Sequence, residues 1–342
     1  MFSCRRLHEN FEVSDKEKES MTTTKVVFLD SIYADMDTER GILAPLGAAL
    51  AVAHCRTADD IVAVAHDADV IMLDNIALPA DVLEQCPRAG MVLRAGIGVD
   101  NIDLAAAGRR GIPVCNVPDY CLAEVADHAV ALLLAVSRRL VQADRRIRTG
   151  DLDYLGMGFV YTLRGKTVGF MGFGRIARIA ARSLSAFDTR QVFFDPFIAE
   201  KSVDGAQKTD LEPLLAQSDF VSLHMPGTPQ TRHIIDHRAL ALMKSSACLI
   251  NTSRGGAVDT EALADALEAG TIAGAGLDVV ENELDICPGH RLCRMDNVIL
   301  TPHMGWYSEE ARLKLQRDSA LEVARFLRGE PLKHVVNADY IR

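Results

Sequence analysis

Gly172-Phe173-Gly174-Arg175-Ile176-Ala177 stands near the middle of the 342-residue chain, and its surroundings decide the fold. Before it, Thr167-Val168-Gly169-Phe170-Met171 is a short apolar run of the kind that forms a buried parallel strand. After it, Ile176, Ile179, Ala180, Leu184 and Phe187 recur at helical spacing. Val192-Phe193-Phe194 then reads as a second strand, ending on Asp195. Strand, glycine turn, helix, strand and acid follow in the order of a dinucleotide site. Gly172 and Gly174 let the backbone approach a pyrophosphate at a helix N-terminus, and Asp195 can accept the adenosine ribose hydroxyls. A bare G-x-G-x-x-G/A also arises from packing alone; the strand, helix and acid in register give it its weight. Because the motif begins at residue 172, another domain must precede it.

Working outward, short apolar strands at 26–29, 51–54, 70–73, 91–93 and 113–115 alternate with helical segments, which implies a parallel sheet. Residues 122–147 read as one long helix, apolar nearly all round at its centre and so expected between domains. A second series of strands lies at 220–223, 248–250, 276–279 and 298–300. With the two beside the glycine loop these make a six-stranded doubly wound sheet. A last helix, 308–328, is stopped by Gly329-Glu330-Pro331. The predicted fold is α/β, with two doubly wound parallel-sheet lobes. A Rossmann cofactor domain (122–305) is inserted in a flavodoxin-like substrate domain (23–121 and 306–342). Residues 1–22 are charged, lack the apolar core of a signal peptide and are expected to be a disordered extension, with Met21 a possible second start.

Composition narrows the class. The chain is 49% hydrophobic and 25% charged, as packed globules are. A net charge of −10 without a long basic run argues against a nucleic-acid partner. The most apolar stretch, 129–136, is too short to span a bilayer, so no membrane partner is expected. Eight cysteines form no C-x-x-C pair, which suits buried, reduced thiols in a cytoplasmic protein. His233 and His237, four apart, could share a metal ion on one helix. Asp236 reads instead as the N-cap of the following helix, leaving His233 outside it, and no metal is expected.

Three residues at strand ends can carry a reaction. Arg254 follows the strand 247–251, Glu283 follows Gly276-Leu277-Asp278-Val279-Val280, and His303 follows Val298-Ile299-Leu300. An arginine can clamp a carboxylate bidentately, a histidine can pass a proton near neutral pH, and a carboxylate beside it stabilises the charged imidazole. Each alone has a plainer reading: a turn arginine, an exposed loop glutamate, a satisfied strand-end histidine.

Together, the motifs resemble those of the D-isomer-specific 2-hydroxyacid dehydrogenases from about residue 69 to 337. The pieces that carry the likeness are Gly98-Val99-Asp100-Asn101-Ile102-Asp103, the Gly172 loop, Asn251-Thr252-Ser253-Arg254-Gly255-Gly256, Asp278-Val279 and Thr301-Pro302-His303. The resemblance implies NADH-dependent reduction of a 2-keto acid to a D-2-hydroxy acid and its reverse. Arg254 would bind the substrate carboxylate and carbonyl, His303 would be the acid/base, and Glu283 its partner. The family has proline after that glutamate where this chain has Leu284, and Glu281 is a second candidate. Cofactor positions carried over from the family are Arg175 and Ile176 in the glycine loop, Pro226 and Thr231 over the adenosine, Thr252 and Asp278 beside the nicotinamide, with Arg254 and His303. A homodimer is also implied.

Within the family the chain is most similar to the C-terminal-binding-protein branch, through Arg94-Ala95-Gly96-Ile97-Gly98, Val114-Cys115-Asn116-Val117-Pro118 and Gly305-Trp306-Tyr307-Ser308-Glu309. That implies that Arg94 and Trp306 face the substrate and that Gly96, Ile97 and Gly98 supply amide donors. An indole there favours a medium apolar tail, such as 4-methylthio-2-oxobutyrate, over glyoxylate. The alternative from another class is an NADH-responsive, corepressor-like interaction protein. Its relatives carry a long C-terminal tail, whereas this chain stops soon after Val335-Val336-Asn337.

Overall fold

The computed structural model describes residues 23–33, 35–158, 160–282 and 288–341, in two compact units. The first comprises the chain up to residue 95, 101–116 and 316 onward. Its strands are β1 (Thr24–Leu29), β2 (Ala48–Ala53), β3 (Val70–Leu73), β4 (Met91–Arg94) and β5 (Val114–Cys115). All pair in parallel in the order β2-β1-β3-β4-β5, the flavodoxin-like arrangement. Alternate residues of the same strands feed opposite cores. Val27, Leu29, Ile71, Leu73 and Val92 face one side; Val26, Phe28, Val70, Met72 and Leu93 face the other. A sheet covered on both faces needs strands apolar at every position, hence the uninterrupted runs in the sequence.

The second unit, 96–100 and 117–315, holds an eight-stranded sheet rather than the expected six. Its strands are β6 (Thr167–Met171), β7 (Arg190–Phe194), β8 (Ser202–Val203), β9 (Ala206–Lys208), β10 (Phe220–Leu223), β11 (Cys248–Asn251), β12 (Gly274–Leu277) and β13 (Val298–Leu300). They lie in the order β13-β12-β11-β10-β6-β7-β9-β8. The two additions, β8 and β9, are short and largely polar, so no periodicity announces them. β9 runs parallel to β7 and β8 returns antiparallel at the edge. The order reverses beside β6, where the glycine loop sits, which is the switch point at which open α/β sheets bind ligands.

The helix expected over 122–147 is two helices, Leu122–Ser137 and Leu140–Arg148. Arg139 between them is left-handed (φ 50°), and the Arg138 N–H caps the first helix on Leu134 O. The buried side of Leu122–Ser137 packs within its own unit: Ala126, Ala129, Leu132, Leu133 and Val136 share a core with Phe170, Ala177, Leu184 and Ile250.

The domain junctions also differ from those expected at 121/122 and 305/306; the units divide at 116/117 and 315/316. The second division falls inside the continuous helix Glu309–Leu327, where no break signal exists to be read. That helix starts as expected, with Ser308 Oγ accepting from Ala311 N at 2.9 Å. Residues 96–100 join the second unit because Asp100 is bound to Arg254 and Gly96 O accepts from Val117 N.

Among the described residues, Cys55, Cys86, Cys115, Cys121 and Cys248 are buried reduced thiols and Cys293 is exposed. Burial pushes the thiols of Cys115, Cys121 and Cys248 up to about 12, which leaves them inert. No helix of the described residues is long and apolar enough to cross a membrane.

Candidate active site

The second unit gathers its functional residues at the C-terminal ends of its strands. After β6, Gly172 is left-handed (φ 80°), and a Cβ there would lie 2.7 Å from His224 O, so only glycine makes this turn. Gly174 precedes the helix Arg175–Ser185, and no atom of the described residues, chain neighbours aside, lies within 4 Å of where its Cβ would be. Arg175 pairs with Asp119 and donates to Pro118 O, while Ile176 packs against the core.

At the end of β7 the Asp195 carboxylate is held by two backbone donors, Phe173 N on Oδ2 and Phe197 N on Oδ1, each at 2.9 Å. That fixes an acid beside the glycine turn, as a ribose acceptor requires. After β10, Thr231 Oγ donates to Pro226 O at 2.7 Å and accepts from Thr228 N, so both expected residues shape one closed loop. Thr252 Oγ is buried and has no hydrogen-bond partner among the described residues, as an atom that meets a ligand would. Turn, helix end, acid and orphaned hydroxyl all fit a bound dinucleotide.

After β11 the buried Asn251 side chain builds the turn that carries Arg254. Its Nδ2 donates to Arg254 O at 2.9 Å, and its Oδ1 accepts from Ser253 N and Ser253 Oγ. Arg254 Nε then donates to Asp100 Oδ1 at 2.9 Å. Its NH2 nitrogen sits where a Cβ of Gly98 would be, 1.4 Å from that point, so residue 98 must be glycine for the guanidinium to lie there.

After β12 and β13 comes His303. Its backbone is left-handed (φ 52°), a costly state for histidine, and its N–H donates to Asp278 O and Thr301 O. Asp278 pins the segment further. Its carboxylate accepts from Thr301 Oγ at 2.6 Å, Met304 N at 2.9 Å and Gly305 N at 2.8 Å, and lies 3.3 Å from His128 Nε2. Burial pushes this carboxyl's pKa up. The bonds from His128, Thr301, Gly305 and Met304 outweigh it and hold the group below the usual carboxylate range. The carboxylate of Asp278, expected beside the nicotinamide, thus also holds the turn of His303.

Glu283, with Leu284 after it, lies outside the described residues. Glu281, the second candidate, is engaged elsewhere: its oxygens meet Arg232 NH2 at 2.7 Å and His233 Nε2 at 2.8 Å. His237 faces Asp265 instead, and Asp236 caps its helix through Ala239 N as expected. Among the described residues no group of three or more His, Cys, Asp or Glu side chains could hold a metal ion.

The remaining expected residues fare differently. In the first unit Arg94 is buried at the end of β4, its guanidinium bound to Asp74 Oδ1 (3.1 Å), Asn75 Oδ1 (2.8 Å) and Ala95 O. These bonds lie within its own unit, and its Nε is buried without a partner among the described residues. In the second unit, Gly96, Ile97 and Gly98 form the segment that meets Arg254 through Gly98. Trp306 stands in an aromatic group, its ring 6.0 Å from Tyr120 and 5.4 Å from Tyr307.

The arrangement agrees with comparison to known proteins. The profile described as "D-isomer specific 2-hydroxyacid dehydrogenase, NAD binding domain" matches residues 130–305. A glyoxylate reductase of Thermofilum pendens is 40% identical over 271 residues, covering 78% of this chain and 80% of that one. The chain belongs to the D-isomer-specific 2-hydroxyacid dehydrogenase family. A Pyrococcus furiosus glyoxylate reductase is 41% identical over 285 residues, covering 81% and 84% of the two chains. The structure of an Aquifex aeolicus D-lactate dehydrogenase, complexed with NAD and lactic acid, superposes with a TM-score of 0.80 at 28% identity, covering 89% and 96%. This 2-hydroxyacid dehydrogenase is accordingly an NAD-dependent oxidoreductase with a Rossmann-type cofactor unit.

Three residues of the dehydrogenase's site escaped the sequence reading. Asn251 and Asp100 lay inside motifs already singled out, but nothing in a sequence shows that they hold Arg254. His128 had a clearer signal, a histidine directly before the apolar run 129–136. Its Nε2 lies 2.9 Å from Thr301 Oγ, which ties that helix to the His303 turn.

Proposed function

We propose that the enzyme reduces short 2-keto acids, glyoxylate foremost, to D-2-hydroxy acids with NADH and catalyses the reverse oxidation. One observation carries this: an arginine held at a strand end against a glycine, in the same cluster of strand ends as a ribose-binding acid and a histidine. The bound cofactor supplies the hydride for the keto carbon. Arg254 holds the carboxylate and polarises the carbonyl. His303 gives a proton to the keto oxygen in reduction and takes it back in oxidation. Glu283, five residues beyond Asp278, keeps the imidazole charged. Thr252 and the Pro226–Thr231 loop hold the cofactor, and Asp195 favours NADH by repelling the extra phosphate of NADPH.

Similarity to glyoxylate reductases supports the small substrate. A second reading, a medium apolar tail, is supported by the indole of Trp306 three residues after His303; its contacts with Tyr120 and Tyr307 also account for it as packing. Gly305-Trp306-Tyr307-Ser308-Glu309 supports membership of the C-terminal-binding-protein branch. The interaction-protein alternative gains nothing from the comparisons, whose members named above are reductases and dehydrogenases. Exposed Leu140, Ile147, Leu152, Tyr154 and Leu155 support a homodimer, since Leu152 (75% exposed) and Leu155 (79%) are apolar surface in need of cover. Reduced thiols suit the cytoplasm.

The deciding experiment is initial-rate NADH and NADPH oxidation with glyoxylate, hydroxypyruvate, pyruvate and 4-methylthio-2-oxobutyrate, with sedimentation of the same sample. Glyoxylate with NADH should lead, from a dimer. A higher kcat/KM for the methylthio acid that falls in Trp306→Ala establishes the second reading; equal use of NADPH refutes the role of Asp195.

A further inference from the structure

We infer that Asp100 is a positioning residue for Arg254 and sets which edge of the guanidinium meets the substrate carboxylate. The inference rests on the role of Arg254 proposed above. Four contacts make the case, all within the second unit. Arg254 Nε–H donates to Asp100 Oδ1 at 2.9 Å, and an NH1 N–H donates to Ser253 O at 2.8 Å. The NH2 nitrogen rests in the hollow left by Gly98. On the other side, the point where a Cβ of Gly227 would stand is 3.3 Å from Arg254 Cγ and 3.4 Å from Asp100 Oδ2. The stem and the Nε edge are thus fixed, and among the described residues the N–H groups not yet engaged all lie at the NH1/NH2 end. A carboxylate therefore meets the guanidinium end-on, at a fork already aimed.

A flexible arginine surrenders rotamer freedom on binding, and an anchored one has already done so. Asp100 also carries a negative charge that opposes an incoming carboxylate. The two effects have opposite signs. If anchoring dominates, removing Asp100 weakens substrate binding; if charge dominates, removal tightens it. The fit around Gly98 and Gly227 indicates that anchoring dominates. Asparagine separates the two, because its amide oxygen still accepts from Nε while the charge is gone.

The test compares Asp100→Ala and Asp100→Asn with the unsubstituted full chain, using NADH and glyoxylate, with calorimetric titration of oxalate into the enzyme–NAD complex as a turnover-free readout. Asp100 is 44% exposed, so both variants should fold. Asp100→Ala should raise the glyoxylate KM and the oxalate Kd about tenfold, equivalent to about 1.4 kcal/mol. The KM for NADH and kcat should stay within about twofold, and Asp100→Asn should recover most of the loss. An unchanged or lower glyoxylate KM in Asp100→Ala, failure of asparagine to rescue, or a parallel rise in the NADH KM overturns the inference. If the unsubstituted enzyme reduces no keto acid, the functional reading fails, and the oxalate titration alone decides Asp100. Absence of both turnover and oxalate binding ends both.

Discussion

Arg94 and Arg254 stand in comparable places, one in each sheet, at or just beyond the C-terminal end of a parallel strand and paired with an aspartate. Their surroundings part them. The side chains of Arg94 and Asp74 are 10% and 8% exposed, and the guanidinium takes acceptors from Asp74, Asn75 and its neighbour's carbonyl. Those of Arg254 and Asp100 are 28% and 44% exposed, and only two of its five donors are taken among the described residues. Arg94 is not matched in full: three of its donors are taken and its Nε is buried without a partner among the described residues, so burial more than donor count parts the two. Spare donors alone do not separate the two arginines; exposure does.

The sharpest way to break this comparison is to neutralise each arginine. Arg254→Gln should lower kcat/KM for keto acids roughly a thousandfold while the thermal midpoint hardly moves. Arg94→Gln breaks the buried ion pair with Asp74 and should cost about 3–5 kcal/mol of stability by urea denaturation. A larger stability loss at Arg254 than at Arg94 would invert the assignment.

Asp278 sharpens it from the other side, being buried like Asp74 yet bonded to the turn that carries His303. Asp278→Asn should lower kcat about a hundredfold with the NADH KM little changed, because the amide cannot accept all four of its donors. A kcat within threefold of the original would return Asp278 to the cofactor or to a passive role.

The smallest effect concerns His224, just past β10. Its Nε2 lies 2.8 Å from Ser222 Oγ, and desolvation pushes the imidazole down to about 4. A histidine kept neutral in the fold titrates near 6.5 when unfolded. Its contribution is therefore complete above 6.5 and lost as pH falls towards about 4, where the unfolded chain binds the extra proton. His224→Gln should flatten this part of the stability–pH curve by about 3 kcal/mol, read as the unfolding free energy from urea titrations at neutral and acid pH. An unaltered acid limb would show that the imidazole accepts its proton without strain on the fold.

Much of this was legible in the chain. Runs such as Val70-Ile71-Met72-Leu73 and Thr167-Val168-Gly169-Phe170-Met171 are apolar at every position because both faces are covered, and the structure places them as read. The glycine loop and Asp195 were legible because their chemistry is local. Illegible were features set by distant partners. Nothing near Arg94 in the chain announces its bonds to Asp74 and Asn75, and nothing near Asp278 announces its hold on the turn at 301–305. The 122–147 segment reads as one helix because a single left-handed residue, Arg139, leaves no mark in composition.

The two sheets also end differently. One closes on β8, a two-residue antiparallel strand that offers little unpaired backbone. The other ends on β2, Ala-Ala-Leu-Ala-Val-Ala, six apolar residues whose outer hydrogen-bonding groups face no further strand of the sheet. Uncharged, proline-free border strands of that kind are templates for intermolecular pairing. When the enzyme is stressed, clumping should nucleate at Ala48–Ala53, in the unit that does not carry Arg254 or His303, so shelf life and activity can be engineered independently.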